Sequence, residues 1–156
     1  MSKKDIKEET SPSGRYKFTL ALSKEFDGYW QWSICKIYKS DGEFISVVHR
    51  NYTHFPFAWI ENHFDGHDYL ICGEDYQGQT IIQLDTKLRR DFIPDSAGQG
   101  VGFCWIEIEH TRFDNCLSVV GCYWGAPEER VTYDFSNPMN IPYTELERCT
   151  LEFDDD

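Results

Sequence analysis

No apolar run in the chain approaches the roughly 18 residues that a bilayer-spanning helix needs. The opening stretch, MSKKDIKEETSPSG, lacks the apolar segment of a secretory signal. The expectation is therefore a cytoplasmic protein with no membrane-spanning helix. Positive charge is scarce: 15 Lys and Arg stand against 27 Asp and Glu, for a formal charge of −12. Binding nucleic acid through its phosphates requires a basic face, which this chain lacks. Any partner held by charge should be basic or a cation. There is no C-x-x-C pair and no Cys/His cluster at finger spacing, which excludes the common zinc and thioredoxin-type motifs. G-x-S-x-G and His-Glu-x-x-His are absent too. Gly98-Gln99-Gly100-Val101-Gly102 leads into a strand-like run and has no lysine, so the helix-terminus mechanism of a phosphate loop is missing. With carboxylates too abundant to mark a catalytic pair, the expectation is a non-enzyme without a cofactor.

What is present is β-rich. Aromatic residues make up 16% of the chain and alternate with β-branched residues in short runs bounded by Gly, Asp, Asn and Pro. No window of helical length holds a 3.6-residue apolar period. The pattern predicts an all-β protein with about eleven strands: 16–22, 30–38, 43–50, 57–62, 69–74, 80–85, 87–93, 102–109, 117–123, 130–135 and 144–151. Asp41-Gly42 and Asp65-Gly66 supply the positive φ angles that tight hairpin turns demand. Residues 1–14 read as a disordered leader, 15–153 as one domain and 154–156 as a frayed acidic tail. Six cysteines are spread over the chain, and Cys35, Cys72, Cys104 and Cys122 lie inside apolar runs. The expectation is free, reduced thiols acting as small buried hydrophobes.

A repeat organises these strands. Phe57-Ala58-Trp59-Ile60-Glu61 recurs as Phe103-Cys104-Trp105-Ile106-Glu107, Cys72-Gly73 matches Val120-Gly121, and Ile82-Gln83-Leu84-Asp85 is echoed by Val131-Thr132-Tyr133-Asp134. A fainter earlier copy runs through Leu20-Ala21-Leu22 and Ile34–Tyr38. Four short strands in a period of about 45 to 50 residues are the mark of propeller blades. On these residues the chain resembles WD-repeat-type β-propellers, most closely between Tyr69 and Thr86, without that family's Trp-Asp dipeptide. The resemblance implies an antiparallel meander of propeller-like four-stranded blades. Three blades do not close a ring; two copies pairing as a homodimer would complete six, and folding back as a two-sheet β-sandwich is the alternative. The runs 57–60 and 101–108 are apolar on both faces, as strands covered on both sides would be.

The resemblance also implies that the loops joining the second and third strands of each blade share one rim. These loops pair aromatics with carboxylates: Tyr29 and Trp30 beside Glu25 and Asp27; Tyr76 beside Glu74 and Asp75; Tyr123 and Trp124 beside Glu128 and Glu129. Such pairs suit a basic or Arg-rich protein partner through cation–π contacts and charge-assisted hydrogen bonds. The expected function is therefore a protein-interaction module binding through Tyr29, Trp30, Glu74, Asp75, Tyr76, Tyr123, Trp124 and Glu128. The alternative is an acidic inhibitor or immunity-type protein that blocks a basic, nuclease-like active site by imitating a polyanion. His63, Asp65 and His67 have the spacing of a metal clip around the Asp65-Gly66 turn, against which stands a plain polar turn; the expectation is no metal.

Overall fold

The computed structural model describes residues 6–23, 32–75, 77–94, 103–123 and 125–151. Twelve strands run in chain order: β1 (Ile6–Thr10), β2 (Tyr16–Ser23), β3 (Trp32–Lys39), β4 (Phe44–Arg50), β5 (Phe57–Ile60), β6 (Tyr69–Glu74), β7 (Gly78–Gln83), β8 (Leu88–Phe92), β9 (Phe103–Thr111), β10 (Cys116–Tyr123), β11 (Glu129–Asp134) and β12 (Glu145–Thr150). Each consecutive four form one antiparallel meander, giving three separate sheets, β1–β4, β5–β8 and β9–β12. The described residues include no helix and do not close into a barrel or ring. The eleven expected strands are all present.

The twelfth, β1, corrects the reading of residues 1–14 as a disordered leader. Ile6 to Thr10 pair with Ala21 to Lys17 of β2, though all five residues are exposed. The segment contributes backbone hydrogen bonds and no core residue, so its sequence, IKEET, carries no period-two apolar signal.

The sheets stack face to face, which replaces the two-sheet sandwich with three layers. One core joins Phe18, Cys35, Ile37 and Val48 of the first sheet to Leu70, Cys72 and Ile82 of the second. A second core joins Ile60, Tyr69, Ile71 and Ile81 to Leu117, Val119 and Val131 of the third. Alternate residues of the middle sheet feed opposite cores, as the pleat requires. β6 and β7 are therefore buried throughout. These are the strands covered on both sides, whereas β5 is mostly half-buried and the second half of β9 meets solvent.

The repeated Phe-x-Trp-Ile-Glu words fall on β5 and β9, the first strands of their sheets. Trp59 stacks on Phe18 with ring centroids 5.4 Å apart, on the face toward the first sheet. Trp105 belongs to the core shared with the second sheet and lies 5.4 Å from Tyr133. Both indoles thus face the preceding sheet, but at different heights: Trp59 pairs with Leu70 near the start of β6, and Trp105 with Gly121 near the end of β10. The matched glycines differ likewise, since Gly73 donates its N–H to Pro56, just before the start of β5. A bulge at Val120/Gly121 and the greater length of β9 shift the register between the copies.

Candidate functional site

Side-chain bonds between sheets fix the two ends of the stack. Tyr16 donates to Asp68 Oδ2 (2.7 Å), and His63 Nε2 lies 2.9 Å from Asn115 Oδ1. The starts of β2, β6 and β10 therefore share one end, and the connections from second to third strand leave from the other. Of the eight residues expected to bind at that other end, Tyr29, Trp30, Tyr76 and Trp124 lie outside the described residues. The remaining four are Glu74, Asp75, Tyr123 and Glu128.

Glu74 turns inward. Its Oε1 accepts a hydrogen bond from Arg89 Nη2 (2.7 Å), and Arg89 also holds Asp91 at 2.8 Å and Ser46 Oγ of the first sheet at 2.9 Å. Burial, and then the hydrogen bond and charge of Asp91, push the Glu74 carboxyl up to about 8. This is a structural cluster between two sheets and not an exposed contact, which corrects the expectation for Glu74. Asp75, in a left-handed conformation at φ 50°, makes the turn after β6; its N–H donates to His49 and its carbonyl accepts from Arg50. Glu128 is half-buried, with its carbonyl accepting from Leu151 N–H.

Tyr123 does line a site. Between the second and third sheets at this end lies a cleft of about 400 Å³. Its walls include Phe92, Phe103, Trp105, Tyr123, Tyr133 and Tyr143, with Gln77, Gln79, Glu145 and Arg148 as polar groups. β9 places Phe103 and Trp105 on the same face by its two-residue period, and β11 sets Tyr133 beside Trp105. Burial pushes the Tyr133 hydroxyl up to about 12, keeping it neutral. The Arg148 guanidinium sits 4.8 Å from the Phe103 ring and 5.9 Å from that of Tyr123. Glu145 (2.6 Å) and Glu129 (3.3 Å) flank it. Burial opposes its charge, but these two carboxylates more than offset that and hold it charged. Apart from Tyr123, the cleft residues were not among the expected contacts. The alternation of Phe103 with Trp105, and a lone cation in the acidic stretch 145–156, were the signals for them.

Within the His63–His67 segment His63 Nδ1 lies 3.1 Å from Asp65 Oδ1, but His63 Nε2 faces Asn115 and His67 Nδ1 meets Asp85 Oδ2 at 2.6 Å, so the three expected side chains do not share one centre. Among the described residues no group of three or more His, Cys, Asp or Glu side chains is arranged to hold a metal ion. None of the six cysteines is in a disulfide, and Cys35, Cys72, Cys104 and Cys116 are buried. No helix among the described residues is long and apolar enough to cross a membrane.

No family model matches the chain. Over 143 residues, 88% of this chain, it is 33% identical to an uncharacterized protein of Acanthamoeba polyphaga mimivirus. The chain spans 55% of that relative's length, about half.

Proposed function

We propose that the protein is an intracellular interaction module in which the cleft between the second and third sheets takes a basic side chain, best an arginine, from a partner protein. The observation that carries this reading is Arg148 itself. The fold already seats one guanidinium across two aromatic rings and between two carboxylates. An aromatic wall with acidic flanks binds a guanidinium by its flat face and its donor edge together. Polyanion mimicry fits less well, because Glu61, Asp68, Glu74, Asp85 and Glu129 are engaged in internal ion pairs rather than arrayed outward. Six cysteines without a disulfide accord with a reducing compartment. In this reading the three sheets are blades of the propeller type, and a second copy covers an end face of the stack.

Calorimetric titration with an arginine-rich and a lysine-rich peptide tests the proposal. Arginine should bind more tightly than lysine, and Tyr123→Ala should weaken binding by about tenfold. Equal binding of both peptides, with steep salt dependence and no effect of Tyr123→Ala, would favour polyanion mimicry. Light scattering tests the pairing of copies, since a strict 18.4 kDa monomer overturns it.

A further inference from the structure

The end of the stack opposite the cleft carries apolar side chains that the fold does not use. Phe113 is fully exposed and Phe64 is 64% exposed. Phe44 and Leu88, also exposed, lie at the same end, each the first residue after a hairpin turn. Phe64 and Phe113 occupy equivalent connections, from first to second strand of the second and third sheets, and each precedes an aspartate. Neither carboxylate competes with its ring for the surface. Asp65 accepts from the Tyr69 hydroxyl (2.5 Å) and the His67 N–H (3.0 Å), and Asp114 accepts from the Thr111 hydroxyl.

The two loops are tied together. Arg112 donates from Nη2 to the Asn62 carbonyl (2.9 Å) and from Nη1 to the Glu61 carbonyl (3.3 Å), and its guanidinium lies 5.4 Å from the Phe64 ring. Asn115 Oδ1 sits 2.9 Å from Nε2 of both His63 and His110. The phenyl rings are thus presented from loops already fixed before any partner arrives. Little loop ordering is left to oppose docking, which is the condition under which exposed aromatics become binding anchors. The surrounding loops 11–15, 40–43, 61–68, 84–87 and 112–115 hold seven carboxylates against three Lys or Arg, so this end keeps a net negative charge although Glu43, Glu61, Asp68 and Asp85 are ion-paired within it.

We infer that this end is a second docking surface, on which Phe64 and Phe113 insert into apolar pockets of a protein partner whose rim is lined with Lys and Arg. The acidic surround selects a basic rim by charge complementarity and repels an anionic surface. Together with the cleft at the other end, this surface lets one molecule bridge two partners.

Selection of a random peptide library on the whole protein, with counter-selection on the Phe64→Ser/Phe113→Ser variant, tests the inference. The recovered peptides should combine Lys or Arg with large apolar residues. Their binding should fall about tenfold or more in the double variant, weaken with added salt and be unchanged by Tyr123→Ala. Peptides sensitive only to Tyr123→Ala would support the cleft and overturn this surface. A library yielding no binder that depends on Phe64 and Phe113 overturns it as well. So would neutral phosphatidylcholine vesicles that bind the wild type but not the variant, or a dimer in sedimentation that the variant breaks. Should the double variant melt lower, Phe113→Ser alone, whose ring lies wholly in solvent, provides the same readout.

Discussion

A β-carbon on Gly73 would lie 2.5 Å from Nη1 of Arg50, so the guanidinium can occupy its place only because residue 73 has no side chain. Arg50 is 1% exposed, and among the described residues no carboxylate pairs with it. Its donors go instead to the carbonyls of His54 (2.6 Å) and Asp75 (2.9 Å) and to Cys104 Sγ (3.4 Å). One side chain from β4 therefore reaches the connection into the second sheet, the turn after β6, and the first strand of the third sheet.

Gly73→Ala should consequently do more than remove backbone freedom. Displacing Arg50 breaks its bond to Asp75 while the charge stays buried, a loss of about 2–4 kcal/mol. Urea unfolding followed by tryptophan fluorescence measures this, and an unchanged midpoint would show that Arg50 has another place to go.

The Glu74–Arg89–Asp91 cluster makes a pH prediction. Burial, and then Asp91, raise the Glu74 carboxyl from its ordinary 4.5 to about 8 in the folded protein. Between those values the native state holds a proton that the unfolded chain releases, so stability falls as pH rises through that window. Asp91 moves the other way: burial would raise it, but hydrogen bonds from Glu74, Thr80 and Arg89 hold it below the ordinary carboxylate range. Glu74→Gln should flatten the pH dependence of the melting temperature and raise stability at pH 8 relative to the wild type. A wild-type profile flat from pH 5 to 8 would mean that Glu74 is ionised against Arg89 throughout.

The strands and their grouping in fours were legible because alternation and turn residues are local signals. Asp41-Gly42 puts Gly42 at φ 95°, and the runs around Ile37, Ile71 and Val119 mark strands whichever core they face. β1 was not legible, because an edge strand held by backbone bonds needs no apolar residue. The site was less legible still. Glu74 and Tyr123 look alike as loop-flanking residues, yet three-dimensional packing turns one toward Arg89 and leaves the other 37% exposed in a cleft wall. Phe103, Tyr133 and Arg148 come together only because three strand pairings, with bulges at Val120/Gly121 and Thr132/Tyr133, align distant segments.

Two histidines at the Phe64 end should titrate on opposite sides of the ordinary imidazole value. The hydrogen bond to Asp85 raises His67, while burial lowers His110 despite its bond to Asn115. The stabilisation that His67 gains from its charge is present at low pH and disappears as pH rises through its folded value. In proton NMR titrations, His67 should return toward 6.5 in Asp85→Asn while His110 keeps its place. An unmoved His67 would show that the 2.6 Å contact is not made in solution.

The cysteines test the layered packing directly. Cys149 is exposed on the edge strand β12, and Cys122 is half-buried. Cys35 and Cys72 lie in the core between the first two sheets, where burial pushes both thiols well above their ordinary range. A thiol reacts as its thiolate, so exposure and ionisation act in the same direction. Under native conditions Ellman's reagent should label Cys149 rapidly and Cys122 slowly, and Cys149→Ser should abolish the fast phase. Cys35, Cys72, Cys104 and Cys116 should react only on the timescale of unfolding, with all six counted in denaturant without reductant. Rapid native labelling of Cys72, which lies on a strand buried throughout, would mean that the first and second sheets separate readily and that the stack is not one cooperative unit.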